Sequence, residues 1–129
     1  MTVTRLGSGG PWEQHYGYSR VVRAGDRAFT AGCTSTVDGQ VVHVGDAAAQ
    51  TAQALRVGLA ALAEVGAEPG DVVRTRMYVT DRLHADEVGR AHNVVFGAVR
   101  PAATLVVVAA LLHPEHLVEV ELEAYLGER

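Results

Sequence analysis

The two clearest patterns lie near the C-terminal end of the chain. Leu105 to Leu112 is an unbroken apolar run, and Leu117 to Glu123 alternates apolar and acidic side chains. A continuous apolar run reads as a strand covered on both faces, and strict alternation as a strand covered on one. The pair predicts two neighbouring strands. The turn Arg100-Pro101-Ala102-Ala103-Thr104 feeds the first of them and is predicted to form the floor of a pocket.

Upstream, Gly7, Gly9, Gly10 and Pro11 break any period within residues 1–14, which read as a loop or arm. Strands are predicted over 18–24 and 27–34, joined at Gly25-Asp26, with a short third over 40–43 after the hairpin signal Asp38-Gly39. Asp46 suits the N-cap of a helix through Glu64, whose Ala48, Ala52, Leu55, Leu59 and Leu62 recur at three- and four-residue spacings. Gly66 fits the end of that helix, where positive φ is often required. A strand over 72–80 places Arg74, Arg76 and Tyr78 on one face, and a second helix spans about 83–96. The order β-β-(β)-α-β-α-β-β predicts an α+β fold, a mixed β-sheet with two helices on one face. The other sheet face needs a cover, which three such sheets packed into a ring would supply.

Composition narrows the function classes. A chain of 129 residues makes one domain, 1–129, with a thin core. An apolar content of 48% is that of a folded globule. The net charge of −4 argues against a nucleic-acid partner, which normally meets a basic face. All the basic residues are arginine. The beginning of the chain lacks the apolar centre of a secretory signal, and no run approaches the ~18 apolar residues of a membrane span. Cys33 is the single cysteine and cannot form an internal disulfide. These features together predict a cytoplasmic protein without membrane contact.

Glu119 and Glu121 share one face of their strand, either as a solvated surface or as pocket carboxylates that move protons. Cys33 has no motif-supplied base and reads as a small buried hydrophobe. His113-Pro114-Glu115-His116 lacks the helical metal spacing, and Pro114 disfavours a helix there, so His84, His92, His113 and His116 read as non-ligating and no metal is expected. Gly7-Ser8-Gly9-Gly10 neither follows a strand nor opens a helix in the phosphate-loop manner.

Several segments, in this order and spacing, resemble the Rid family of reactive-intermediate deaminases, small trimers that hydrolyse enamines and imines. They are Tyr16-Gly17-Tyr18-Ser19, Phe29-Thr30-Ala31-Gly32, Asp71 to Asp81, Val94-Val95-Phe96, Arg100-Pro101-Ala102 and Val118-Glu119-Val120-Glu121. The resemblance implies a chorismate-mutase-like trimer with a small-molecule ligand in clefts between subunits. It also implies that Glu119 positions water, that Tyr18 lines the cleft, and that Gly32 offers backbone contacts. Glu121 stays open as the alternative acid, because one residue is inserted between Leu112 and Leu117. His92-Asn93 falls in a region that borders the cleft in the family.

The chain departs from the family at Ala103. In deaminases of amino-acid-derived imines the matching residue is an arginine that holds the substrate carboxylate. Ala103 offers a backbone N–H and a small apolar surface, and Thr104 a hydroxyl. Arg100, Arg74 or Arg76 would have to replace the missing cation. Three functions follow for comparison. The first is hydrolytic deamination of an enamine or imine, with no metal or organic cofactor because the imine carbon is already electrophilic. The second is a non-catalytic small-molecule-binding trimer. The third, disfavoured by the acidic balance, is an endoribonuclease-type action on RNA. Whether the chain is an enzyme stays open at this level.

Overall fold

A computed structural model describes residues 2–127. Its strands are β1 (Val3–Leu6), β2 (Val21–Ala24), β3 (Arg27–Thr30), β4 (Thr36–Val37), β5 (Gln40–Val41), β6 (Val72–Val79), β7 (Ala102–Val107) and β8 (Val118–Tyr125). Its α-helices are α1 (Pro11–Tyr16), α2 (Ala47–Glu64) and α3 (Ala85–Phe96). Six strands make one mixed sheet in the order β1-β2-β3-β8-β6-β7, in which only β6 and β7 run parallel. The helices α2 and α3 pack on one face of that sheet and against each other. The α+β architecture is thus the predicted one.

Alternation decides which residues face the helices. On β8, Val118, Val120, Leu122 and Ala124 are buried, while Glu119, Glu121, Glu123 and Tyr125 point to the open face. On β6, Thr75, Met77 and Val79 are buried, and Arg74, Arg76 and Tyr78 share the open face with the glutamates. Leu55 and Leu62 of α2 and Val88 and Phe96 of α3 close over the buried side. Asp46 caps α2 by accepting from Ala49 N at 3.0 Å. Gly66 ends the helix at φ +91°, and Arg23 Nη1 donates to Val65 O at 2.7 Å, placing a cation at the helix C-terminus.

Four expectations need correction. Residues 1–14 are not merely an arm, because Val3–Leu6 extends the sheet beside β2 and Pro11 opens α1. The run from Leu105 is not buried on both faces: β7 is the sheet edge, with Val106 42% and Val107 53% exposed. Nor are β7 and β8 neighbours, since β6 lies between them. The hairpin signalled by Asp38-Gly39 forms, with both residues at positive φ, but its second strand ends at Val41 rather than His43 and the pair stands apart from the six-stranded sheet. Among the described residues no helix is long and apolar enough to cross a membrane.

Candidate functional site

At one end of the open face, a cavity of about 300 Å³ is lined by Gly32, Tyr78, Val108, Ala110, Leu111, Glu119 and Glu121. Each element contributes by register. Tyr78 pairs with Glu119 across β6 and β8, so phenol and carboxylate emerge side by side. Gly32 precedes Cys33, whose N–H donates to Val120 O at 2.7 Å and whose C=O accepts from Val120 N at 2.9 Å, tying the segment after β3 to β8. The segment after β7 forms the apolar wall, and Val108 N donates to Val79 O at 2.8 Å.

The two carboxylates differ. Glu121 Oε1 accepts from the Tyr78 hydroxyl at 2.5 Å and lies 3.7 Å from Arg76 Nη1, which is held more closely by Glu123 Oε1 at 2.9 Å. The hydrogen bond to Glu121, then burial, raise the Tyr78 pKa, so the phenol stays protonated. Glu119 has no hydrogen-bond or ion-pair partner among the described residues and rests against Gly32, where a Cβ would overlap its carboxylate. Burial, with the charge of Glu121 second, raises the Glu119 pKa, and Arg20 acts in the opposite direction. The site thus joins an underpaired carboxylate, a phenol oxygen whose proton is directed at Glu121, and a glycine backbone beside an apolar wall. That set can hold a water against a small, partly apolar ligand and accept a proton from it.

Of the residues singled out in the sequence, Glu119 and Gly32 meet in this cavity, and Glu121 joins them. Tyr18 is 41% exposed, follows α1, and does not line it. Ala103 and Thr104 lie near the start of β7, whereas the cavity wall comes from Val108, Ala110 and Leu111 beyond its end, the first of them about 13–16 Å further along at ~3.3 Å per residue. They also face opposite ways: Ala103 is in register with buried Thr75, and Thr104 with Arg76 on the open face. Arg100 sits at φ +59° after α3, its N–H donating to Phe96 O at 2.8 Å. Arg76 is committed to Glu123 and Glu121, and Arg74 lies one step further along the same face.

His92 belongs to the other side of the sheet. Its Nε2 meets Thr75 Oγ1 at 2.8 Å, and burial lowers its pKa. His116 bonds Thr36 Oγ1 at 3.0 Å, and among the described residues no three His, Cys, Asp or Glu side chains gather as a metal site. Burial raises the Cys33 pKa, leaving a neutral thiol. Sequence reasoning missed Tyr78, although its alternation with Arg74 and Arg76 placed it on the polar face. It also missed Arg20, which donates to Gly32 O at 2.5 Å and carries no periodic signal. A larger groove of about 560 Å³ between α2 and α3 is lined by apolar residues such as Ala52, Leu59 and Val95 together with Arg56, Glu87 and Arg90, and holds no pair of carboxylate and phenol like that at Glu119.

Comparison with known proteins places the chain in a family. The family model described as endoribonuclease L-PSP matches residues 12–126. An uncharacterized protein of Streptomyces coelicolor is 42% identical over 125 residues, covering 97% of this chain and 93% of that protein. The crystal structure of Rv2704 from Mycobacterium tuberculosis, described as a member of the YjgF/YER057c/UK114 family, is 45% identical with a TM-score of 0.87, covering 96% of this chain and 99% of that one. The E. coli TdcF structure with bound serine shares the fold at 23% identity and a TM-score of 0.79, over 94% of this chain and 92% of that one. The fold is the chorismate-mutase-like arrangement expected, and the chain belongs to the endoribonuclease L-PSP family, the YjgF/YER057c/UK114 or Rid family.

Proposed function

We propose that this chain hydrolyses small imines or enamines, with Glu119 activating water in a cleft completed by a second copy. The observation that carries this reading is the contrast between the carboxylates: Glu121 is bound by Tyr78 and Arg76, while Glu119 is partnerless and faces the cavity. In the reaction, water adds to the imine carbon as Glu119 takes its proton. With the imine entering as its iminium, the neutral carbinolamine nitrogen then receives that proton, the C–N bond breaks as the hydroxyl proton passes to Glu119, and ammonia leaves a carbonyl product. Tyr78 and the backbone at Gly32 orient the ligand.

The exposed edge at β7 and the polar open face are suited to burial against further copies in a homotrimer. There Ala103 and Thr104 of one subunit, with Tyr18, would meet the Glu119 cavity of another. Ala103 supplies no cation, so the substrates favoured are those without a carboxylate unless Arg100 reaches in. Ammonia release from a panel of imines generated in situ, with and without a carboxylate, tests the reading. Turnover of the carboxylate-free members supports it, and binding without turnover of any member sinks it.

A second reading, ligand binding without turnover, draws on the same cavity, on Ala103, and on the relative described with bound serine. Action on RNA is disfavoured, because Glu119, Glu121 and Glu123 line the open face where phosphates would lie.

A further inference from the structure

Arg20 lies just before β2, with its side chain largely buried. Its Nη1 donates to Gly32 O at 2.5 Å and to Cys33 Sγ at 3.6 Å, and its Nε is 3.8 Å from Glu13 Oε2. The backbone holds it as well: Arg20 N donates to Leu6 O, and Arg20 O accepts from Ala31 N, each at 2.9 Å. Glu13 is itself fixed, its Oε1 accepting from Ser8 N at 2.9 Å and its Oε2 from Ser8 Oγ at 2.5 Å. Burial would raise the Glu13 pKa, but the Ser8 hydrogen bonds and Arg20 outweigh it, so the carboxylate stays ionised and anchors the guanidinium.

The Gly32–Cys33 peptide is therefore held at both ends. Its carbonyl accepts from Arg20, and its N–H reaches Val120 O, one residue from Glu119. Glu119 rests on the Cα of that same Gly32. The other titratable groups around Glu119 are Glu121 of β8, Tyr78 of β6 and Cys33. Tyr78 and Cys33 are held neutral by raised pKa values, and Glu121 acts on Glu119 in the direction that raises its pKa. Arg76 is occupied by Glu123 and Glu121.

We propose that Arg20 is a positioning residue for Glu119: through the Gly32 carbonyl it fixes the surface on which the carboxylate rests, and it supplies the countercharge that Glu119 otherwise lacks. The kinetic half of this inference rests on the proposed imine hydrolysis, and the structural half does not.

The test is a carbon-13 NMR titration of the side-chain carboxyls in the full chain, for the wild type, Arg20→Met and Arg20→Lys, with ammonia release followed against pH. Arg20→Met is expected to move the Glu119 midpoint to higher pH. The acid limb of turnover should move the same way, with kcat down roughly tenfold or more and KM little changed. Arg20→Lys keeps the charge, and is expected to hold the midpoint near the wild-type value and recover part of kcat. An unchanged Glu119 midpoint in folded Arg20→Met overturns the proposal. If that variant does not fold, the guanidinium nitrogen signals of Arg20 in the wild type decide. They should shift with the Glu119 midpoint, and indifference to it overturns the proposal equally. If the wild type turns over no imine while the titration still responds to Arg20, the hydrolysis reading fails and this one stands.

Discussion

Glu119 lies against Gly32 so closely that a Cβ at position 32 would fall 2.9 Å from Glu119 Cδ and overlap its carboxylate. Gly32 follows β3 and Glu119 lies on β8, and the bridge between Cys33 and Val120 ties the two together beyond the end of the β3–β8 ladder. Gly32→Ala must therefore push the glutamate out of place. We predict a loss of stability of about 1–3 kcal/mol by overpacking and a fall in ammonia release of roughly a hundredfold by misplacement. Thermal unfolding of Gly32→Ala, Glu119→Ala and the double variant checks the cause. The double variant should recover most of the stability lost by Gly32→Ala alone, because the clash is then gone.

The raised Glu119 pKa has two consequences of fixed sign. A carboxyl that binds its proton more tightly in the folded chain contributes stability below the ordinary value of 4.5, and that contribution is lost as pH rises through the folded value. Glu119→Gln should therefore be more stable than the wild type at neutral pH and lose that advantage in acid, as read from melting temperatures at the two pH values. In catalysis the base must be ionised, so turnover falls as pH drops through the folded pKa. Burial is the larger cause and Glu121 the second, so Glu121→Gln should move this acid limb to lower pH without abolishing it.

The edge strand predicts assembly. Val106 and Val107 are 42% and 53% exposed on a strand with no neighbour beyond it, an arrangement that invites a second chain. Light scattering at micromolar concentration should report three times the 13.6 kDa chain mass. Val106→Glu should yield a smaller species and lose ammonia release with it. A wild-type monomer would remove the intersubunit cleft from the account.

Gln50 makes a prediction independent of the chemistry. Fully buried on α2, it donates to His43 O at 3.2 Å and Glu115 O at 2.9 Å and accepts from Leu117 N at 2.9 Å, pinning the loop that enters β8. Gln50→Ala removes three hydrogen bonds from a buried side chain to the backbone of this loop, each worth about 0.5–1.5 kcal/mol net. Chemical denaturation should show a loss of at least the lower figure, larger than that of Gln53→Ala, whose side chain bonds only the exposed Arg56.

Much of this was legible because local rules and tertiary packing agree. Asp46 and Gly66 bound α2 as capping chemistry requires, and the Val118–Tyr125 alternation sorts core from open face without help from the rest of the fold. The apolar run at Leu105 misled, because an exposed edge strand can carry the same apolar composition as a strand buried within a sheet. Val3–Leu6 is too short to show a period and is a strand only because Val21–Ala24 offers it a ladder. Within the site, the face shared by Glu119 and Glu121 could be read from spacing. Their division of labour could not, because it depends on Tyr78 and Arg76 from another strand, and Arg20 acts through a backbone carbonyl that no side-chain pattern marks.

The most direct measurement is ammonia release by the wild type, Glu119→Gln and Ala103→Arg on paired imines that differ only in a carboxylate. The account predicts that the wild type turns over the carboxylate-free imine and that Glu119→Gln slows this by roughly a hundredfold or more. It also predicts that Ala103→Arg raises turnover of the 2-iminobutanoate-type partner. Wild-type preference for the carboxylate-bearing imine, or full activity in Glu119→Gln, would contradict it.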